Sequence, residues 1–597
     1  MYSFSMIYWT LPVAFVSVGW FLSQPVTLLS SIVIAVMALL GLLTNKFKTN
    51  LGPRKVLVLA YALPSAYVIT ALVSQQSIIN TLFGMYGRGF GLITLTALAT
   101  IMLIASRTNP DVFFEKVIPV FSGLAIVYGS LQAFDLDPLP WKNDYQTVQL
   151  TMGNPNFSSA LFGLISVFYL SQIFTRKQVI YRVANFALYA LTFFLIYRTK
   201  SLQGYAVAIL AALIFIYLYL SSLNIKHWKS LRRIIFVSSG VVLGTLVAVI
   251  SNQFSFFSKP RQFFAVQANT EARLEYWRLG VQMWKDHPFF GVGVDNYQDW
   301  SPLYRTPELI RIDGYAVIPD KSHNIFIDHF SNGGLLAGIA WMISCLLILT
   351  VAFKLIRSEP PKNVQVRVYT LTSILVGYLF QAFISPDQLI LALLAFISAG
   401  VLLNYYYEFV LKENNKTLKT KKFVDMRLVA AFILFVYVLL SGRVLAADAR
   451  VQEIIEGKPK SQAEVEAVIK DWTSKRAAEI AVVNRIDQRD SCTAITSYAD
   501  LILEKYPRSA NAWTYKVLCS NADGKLDQAV SEIEEAIKLD PLDTYFLGLK
   551  AKLEIARKNY AAAQVVATEI LRIDPDDADG KVIQDFLSKE IANQTTP

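Results

Sequence analysis

Apolar runs of about 17 to 21 residues recur from Met1 to about Leu445. A helix of this length crosses the hydrocarbon layer of a bilayer, which is about 30 Å thick. Inside that layer each backbone N–H and C=O must be bonded within the protein, and a helix meets this requirement by itself. The runs therefore predict an all-α polytopic membrane bundle.

About 13 membrane spans are predicted in residues 1–445 by this length criterion. They lie near residues 6–22, 27–43, 56–73, 90–106, 116–133, 157–174, 180–197, 204–221, 234–250, 333–353, 368–384, 388–406 and 428–445. Residues 446–597 lack such runs and predict a soluble helical domain. The chain has 17% charged residues, below the roughly one quarter typical of soluble proteins.

Basic residues alternate between rich and poor loops along the chain. The rich loops hold Lys46, Lys48, Arg54, Lys55, Arg107, Arg176, Lys177, Arg182, Lys226, Lys229, Arg232, Arg233, Lys354, Arg357, Lys362, Arg367, Lys412, Lys416, Lys419, Lys421, Lys422 and Arg427. The opposite short loops hold Arg88, Lys142, Arg198 and Lys200. The positive-inside rule places the rich loops in the cytoplasm. The N-terminus is then cytoplasmic, whereas a polar loop near 252–322 and residues 446–597 lie outside.

This loop placement also accounts for much of the net charge of +11. A nucleic-acid partner is therefore not predicted. Membrane lipids are the expected surroundings of residues 1–445.

The C-terminal region has an internal period. Pro507, Pro541 and Pro575 are each 34 residues apart, and Ile537–Pro541 nearly repeats as Leu571–Pro575. A 34-residue helix-turn-helix period is typical of tetratricopeptide repeats, and it is clearest over residues 507–588. Two interpretations stay open: a groove for a partner protein, or a structural appendage that caps or dimerises the membrane bundle.

The polar loop carries most of the candidate chemistry. Its helix, predicted over Glu271–Asp286, contains Arg273 and Arg278. An apolar stripe with helical spacing is formed by Leu274, Trp277, Val281 and Trp284. Either arginine is a candidate to bind a phosphate at the membrane surface, because a guanidinium matches phosphate oxygens in a bidentate fork. The alternative is anchoring at the interface.

His323 lies at the end of this loop, just before a span. A neutral imidazole there is a candidate general base; the alternative is an interfacial polar residue. His287 and Gly291-Val-Gly293 are interpreted as a helix end and a turn. A metal site formed by His323, Asp328 and His329 is conceivable, but no spacing demands it, and neither a metal nor a cofactor is predicted.

Two other outer loops contain candidates. Arg88 lies in the glycine-rich stretch Gly84–Gly91, where backbone can approach an anion closely. Asn156 opens the next span, as a binding residue or as a helix N-cap. Cys492 and Cys519 match no metal-binding spacing, and they pair only if the tail faces an oxidising compartment.

Four stretches of this chain resemble the O-antigen ligase and polymerase superfamily of bacterial membrane glycosyltransferases. They are Gly153-Asn-Pro-Asn156; Arg273 and Trp277 with Pro288 and Gly291-Val-Gly293; Ser322-His323-Asn324; and Gly333-Gly-Leu335. The resemblance covers about Met1 to Tyr407, and some members of the superfamily also carry C-terminal tetratricopeptide repeats.

The resemblance implies a GT-C type bundle in the bacterial cytoplasmic (inner) membrane. It implies metal-independent transfer of a saccharide from an undecaprenyl-diphosphate carrier to an acceptor at the outer face. Arg273 and His323 match the active-site motifs, and Arg88 matches a less well-defined arginine. Relatives often have Ser-Arg-Gly where this chain has Ser201-Leu-Gln-Gly204. Arg198 or Lys200 is expected to substitute for that arginine, or the site differs.

The implied activity leaves the acceptor open. A lipid, another glycan or a protein is compatible with the residues, and the repeat region mildly favours a protein. Attack opposite the leaving diphosphate predicts inversion at the anomeric carbon. The alternatives are a lipid-glycan flippase or transporter, which should carry charges within its spans, and a non-catalytic scaffold for glycan assembly.

Overall fold

A computed structural model describes residues 6–17, 25–44, 54–74, 76–139, 143, 146–223, 270–411, 426–458 and 460–595. These residues form helices and no strand, which confirms the predicted all-α class. The predicted span at 234–250 lies outside the described residues.

The helices of the membrane region are arranged in chain order as follows. They are Met6–Val16, Pro25–Thr44, Arg54–Val73, Ile78–Phe83, Leu92–Ala105, Pro110–Ala133 with a π-helical turn at Phe113–Val117, Pro155–Thr175, Val179–Arg198, Leu202–Ser221, Thr270–Asp286, Tyr297–Trp300, Pro307–Asp313, Ile325–Arg357, Lys362–Ile384, Leu389–Phe409 and Met426–Ile455. Thr270–Asp286 is called the loop helix below, and Ile325–Arg357 the exit helix.

Eight described helices are long and apolar enough to cross a membrane. They are Val56–Val73, Pro110–Ala133, Pro155–Thr175, Val179–Arg198, Leu202–Ser221, Ile325–Arg357, Lys362–Ile384 and Leu389–Phe409. The predicted number of about 13 spans is not confirmed. The predicted spans at 6–22 and 90–106 coincide with helices of 11 and 14 residues, which are shorter than the ~20 residues a span needs.

The exit helix begins eight residues before the span that the sequence predicts at 333–353. It bends at Gly334, whose φ of 61° and ψ of −160° are not helical. A Cβ atom there would lie 2.3 Å from the backbone of Phe289. A glycine is therefore required, because the chain after the loop helix presses against the exit helix at this point.

Small residues bring two spans into close contact at one end of the bundle. A Cβ atom on Gly204 would lie 2.5 Å from the carbonyl oxygen of Ser159. Such contacts allow backbones to approach closely in membranes. The start of the helix Leu202–Ser221 is thereby held against the start of Pro155–Thr175.

The C-terminal helices recur with a fixed period. They are Gln462–Lys470, Lys475–Asp487, Cys492–Lys505, Ala510–Ala522, Leu526–Leu539, Thr544–Ala556, Tyr560–Ile573 and Ala578–Thr595. Cys492, Leu526 and Tyr560 begin helices and are 34 residues apart, the period of the prolines. Successive helices pack on one another. The assignment to tetratricopeptide repeats remains a prediction.

The C-terminal region packs against the polar loop. Ile310 of the loop is buried in one cluster with Leu547, Ile570 and Ile573. Nearby, the Arg311 Nε donates to the carbonyl oxygen of Ile573 at 2.8 Å. The loop and the C-terminal region therefore lie on the same side of the membrane bundle.

Cys492 and Cys519 lie together on a cleft between neighbouring helices, and their thiols are in hydrogen-bonding contact. If the C-terminal region faces an oxidising compartment, we expect these thiols to form a disulfide. Maleimide–polyethylene glycol labelling of the full chain in native membranes, before and after reduction, measures this. Two additional labels after reduction are expected.

Cys345 lies within the exit helix and serves as the internal reference for labelling in denaturant. Labelling of Cys492 and Cys519 without reduction would contradict the prediction. The variant Cys492→Ser is the control: because the proposed partner of Cys519 is removed, Cys519 should be labelled equally with and without reductant.

Candidate active site

The chain leaves the polar loop through a rigid turn at Ser322–Asn324. Asn324 is the N-cap of the exit helix, because its Oδ1 accepts from the backbone N–H groups of Phe326 and Ile327 at 3.0 and 3.3 Å. The backbone N–H of Ser322 donates to the buried carboxylate of Asp328 at 2.8 Å. The two flanking residues thus fix the backbone around His323.

His323 adopts a left-handed conformation, with φ of 58°. A non-glycine residue in this region costs of order 1–3 kcal/mol, and such strain concentrates at functional sites. The Nδ1 of His323 lies 3.1 Å from the carbonyl oxygen of Lys321. Because a carbonyl can only accept, this hydrogen bond places the proton on Nδ1 and leaves Nε2 as the basic nitrogen.

The loop helix supplies two neighbours of this histidine. The Tyr276 ring centroid lies 5.0 Å from that of His323. One turn earlier, the Arg273 Nη1 donates to the carbonyl oxygen of Ile384 at 3.1 Å. Arg273 thereby ties the loop helix to the end of the span helix Lys362–Ile384.

Arg88 approaches from the glycine-rich loop. Its Nε and Nη2 lie 2.8 and 2.6 Å from the carboxylate of Asp320. Its guanidinium also lies 5.5 Å from the centre of the Phe157 ring, within the range of a cation–π contact. The structure therefore brings Arg88, Arg273 and His323, three of the predicted site residues, to one place.

The electrostatics of this group follow from burial and from the two arginines. Burial, together with the charges of Arg273 and Arg88, lowers the pKa of His323 to about 4, against the opposing effect of Asp320. Burial would raise the pKa of Asp320, but the charge and hydrogen bonds of Arg88, together with the charge of Lys321, outweigh it and leave that pKa lowered. At neutral pH the site thus holds a neutral imidazole beside an ionised carboxylate.

Asp295 is a buried residue that the sequence interpretation missed. Its Oδ2 accepts from the backbone N–H groups of Met85 and Phe90 at 2.7 and 3.3 Å, and its Oδ1 pairs with Lys321. The backbone of the glycine-rich loop thus binds a carboxylate of the same chain, and its approach to a substrate anion stays a prediction. No motif marked Asp295, because it lies over 200 residues from the loop it binds.

The buried face of the loop helix differs from the predicted stripe. Leu274 is exposed, whereas the buried side chains are Ala272, Leu279 and Met283. The predicted stripe instead turns two tryptophans toward the bundle, where Trp277 contacts Phe383 and Trp284 contacts Phe330. The helix has two apolar sides, since it packs on the loop core and on the spans.

Arg278 lies outside the group around His323. Its side chain is 64% exposed and lies 3.6 Å from Glu275 one turn away on the same helix. The position of Arg278 adds no support to its predicted role in substrate binding. It stays a prediction.

The interpretation of Asn156 as an N-cap is wrong. The cap of the helix Pro155–Thr175 is Asn154, whose side chain accepts from the backbone N–H of Asn156 at 2.8 Å. The Asn156 Oδ1 instead accepts from the Ser201 hydroxyl at 3.0 Å. Asn156 is thus hydrogen-bonded to the loop Ser201-Leu-Gln-Gly204, which stands where relatives have Ser-Arg-Gly. The next residue, Phe157, contacts Arg88, so this loop is connected to the region of Arg88.

Arg198 and Lys200 flank that loop in different settings. Arg198 is the exposed last residue of its helix, and Lys200 is partly buried with φ of 54°. In sequence, Gln203 corresponds best to the arginine of the Ser-Arg-Gly motif of relatives. It is 6% exposed. Both polar atoms of its side chain are buried without a hydrogen-bond partner, a second feature that the sequence interpretation missed.

His329 and Asp328 have partners other than a metal. The His329 Nδ1 lies 2.8 Å from the Tyr67 hydroxyl, and Asp328 binds Ser322 as described. Among the described residues, no three histidine, cysteine, aspartate or glutamate side chains are arranged to hold a metal ion. His287 follows the last residue of the loop helix, and Gly291 has a φ of 65°, as a helix end and a turn require.

Two adjacent clefts lie in the membrane bundle near this group. The first is lined mainly by apolar side chains but includes the charged residues Asp295, Lys321 and Asp387. The second is lined almost wholly by apolar side chains of five helices. Four residues line both clefts: Leu63, Leu95, Trp341 and Phe396.

Comparison with known families gives a match to part of the chain. Residues 187–342 match a family model described as O-Antigen ligase. The matched region runs from the helix Val179–Arg198 through the loop helix and His323 into the exit helix. A comparison with curated proteins gave no significant match.

This match supports a relationship to the O-antigen ligase superfamily and suggests glycosyltransferase activity. With the eight apolar helices it indicates a multi-pass membrane protein. The match does not extend to the C-terminal helices.

Proposed function

We propose that this chain transfers a saccharide from an undecaprenyl-diphosphate-linked donor to an acceptor hydroxyl at the outer face of the cytoplasmic membrane, with inversion and without a metal. The observation that carries the proposal is the grouping of His323 with Arg88 and Arg273 just before the exit helix, where the lowered pKa of His323 keeps its imidazole neutral. The family match over the same residues supports the reaction class.

The reaction needs a base and stabilisation of negative charge. The acceptor oxygen attacks the anomeric carbon, and its proton passes to the His323 Nε2. The bond between the anomeric carbon and the phosphate oxygen breaks, and the diphosphate leaves with the electron pair. Arg88 and Arg273 stabilise the charge that develops on that leaving group. No strong acid is needed, because a diphosphate is already a good leaving group.

The two adjacent clefts support a donor with two different ends. A polyprenyl chain is apolar and matches the cleft lined by side chains such as Leu59, Ile348 and Leu379. The other cleft includes the charged Lys321, two residues before His323, and we expect the diphosphate on that side.

The acceptor remains open between a lipid, a glycan and a protein. The C-terminal region packs on the polar loop close to the site, and this position favours an acceptor that the region recruits. A flippase or a scaffold would bind the same donor without forming a product. The assay described next therefore distinguishes a transferase from these two alternatives.

Replacing His323 by Ala should lower the rate of saccharide transfer by about 10²- to 10⁴-fold, the usual contribution of general-base catalysis. Replacing Arg273 by Ala should lower it by about 10²-fold or more, as expected for a lost charge-stabilising donor. The measurement is transfer from a purified lipid-diphosphate saccharide, with folding checked by gel filtration. Unchanged transfer in both folded variants would refute the assignment.

The matched control is Lys285→Ala, since Lys285 is an exposed cation on the same loop helix. Its transfer rate should stay within about threefold of the wild type, as for surface changes outside a site. Donor movement across the membrane without product, in the wild-type chain, would favour the flippase.

The pH dependence of kcat/KM provides an independent check on the base. Because the pKa of His323 is lowered to about 4, the imidazole stays neutral from pH 8 down to about pH 5 and is lost as a base below that. The rate should therefore be flat over this range. Arg273→Ala should move the inflection to higher pH, because a charge that lowers this pKa is removed. An inflection near the ordinary value of 6.5 in the wild type would contradict the assignment.

A further inference from the structure

Arg305 is a fully buried arginine at the contact between the polar loop and the C-terminal region. Its side chain is 0% exposed. The Nη2 lies 2.5 Å from the carboxylate of Asp540 and 3.7 Å from that of Asp543. Both carboxylates belong to the turn between the helices Leu526–Leu539 and Thr544–Ala556.

The same guanidinium binds backbone on its other side. The Nη1 donates to the carbonyl oxygen of Tyr315 at 2.5 Å and lies 3.5 Å from that of Val317. Tyr315 to Ile318 is an irregular, exposed stretch, so it has no helix or sheet partners to hold it. Arg305 supplies hydrogen bonds to two carbonyl oxygens of this stretch.

This stretch leads directly into the active-site residues. The Ser301 hydroxyl donates to the carbonyl oxygen of Pro319 at 3.0 Å. The next residue, Asp320, binds Arg88, and His323 follows three residues later. The path from the carboxylates of Asp540 and Asp543 to the histidine is therefore one short run of chain held at successive points.

We infer that Arg305 is a positioning residue for the transfer reaction, and that the C-terminal region acts on the site through it by neutralising and holding its guanidinium with Asp540 and Asp543. This inference rests on the proposed function for its catalytic part. The C-terminal region is then a component of the active enzyme in addition to any role in binding a partner.

The energetic reason lies in the burial of the charge. An arginine with no exposed surface stays inside only when carboxylates and carbonyls pair with its donors. If the two carboxylates lose their charge, the guanidinium is driven toward water and releases Tyr315 and Val317. Two carboxylates share this one cation, and burial, with repulsion from Asp540, raises the pKa of Asp543 to about 7.

Other contacts keep the C-terminal region attached when these carboxylates are changed. Lys475 pairs with Asp299, and the Arg508 guanidinium lies 4.0 Å from the ring of Trp300. Arg311 and the cluster around Ile310 add the contacts already described. Loss of charge at Asp540 and Asp543 is thus expected to loosen the stretch 315–321 without detaching the region.

The test is the double variant Asp540→Asn with Asp543→Asn in the full chain. Hydrogen exchange should become about tenfold faster at the amides in 314–323 that donate hydrogen bonds, which are Gly314, Val317 and Ser322, since the local opening is no longer opposed. In the transfer assay kcat should fall by about tenfold or more, because a small displacement of a catalytic group has such effects. The KM for the donor should change less than kcat.

The matched control is Asp579→Ala, an exposed carboxylate of the same region that pairs with Lys552 at 2.7 Å. It should leave both the exchange of 314–323 and kcat unchanged. If the double variant does not fold, Asp543→Asn alone should show a smaller change in the same direction, because its carboxylate lies farther from Arg305.

Unchanged exchange at 314–323, with faster exchange confined to the C-terminal helices, would overturn the inference. The exchange measurement does not depend on activity. If the wild-type chain transfers no saccharide, the proposed function fails, whereas the exchange result still decides whether the C-terminal region holds this stretch.

Discussion

Asp295 joins the two pieces of chain on which the site is built. One of its oxygens accepts two backbone N–H groups of the glycine-rich loop that carries Arg88, and the other pairs with Lys321, two residues before His323. Both partners are buried, so removing either would leave an uncompensated charge at a cost of about 3–5 kcal/mol. The positions of Arg88 and His323 relative to each other therefore depend on this carboxylate.

The parts of the fold that depend on local pattern could be predicted from the sequence. Apolar length predicted helices where the bundle has them, the 34-residue period predicted the recurring C-terminal helices, and turn residues predicted the bend around Gly291. The number of spans could not be counted in this way, because Met6–Val16 and Leu92–Ala105 are shorter as helices than as apolar runs.

The candidate site was predictable only in its most typical residues. Arg273, Arg88 and His323 stand out by chemistry and by resemblance, and the structure groups them. Asp295, Asp320 and Arg305 do not stand out, because their partners are distant in sequence and no spacing rule connects them. Asn156 was wrongly interpreted as a cap for a different reason. Two asparagines flank one proline, and only the backbone geometry shows that Asn154 caps the helix.

The central claim is that a lipid-linked diphosphate binds beside His323. The most direct measurement is photo-crosslinking with a photoreactive amino acid in place of Tyr276, whose ring lies against His323. A radiolabelled undecaprenyl diphosphate should crosslink at this position, lose the crosslink to excess unlabelled lipid diphosphate, and not crosslink from position 285 at the exposed end of the loop helix. Equal crosslinking at both positions, or none at 276 in a folded chain, would contradict the account.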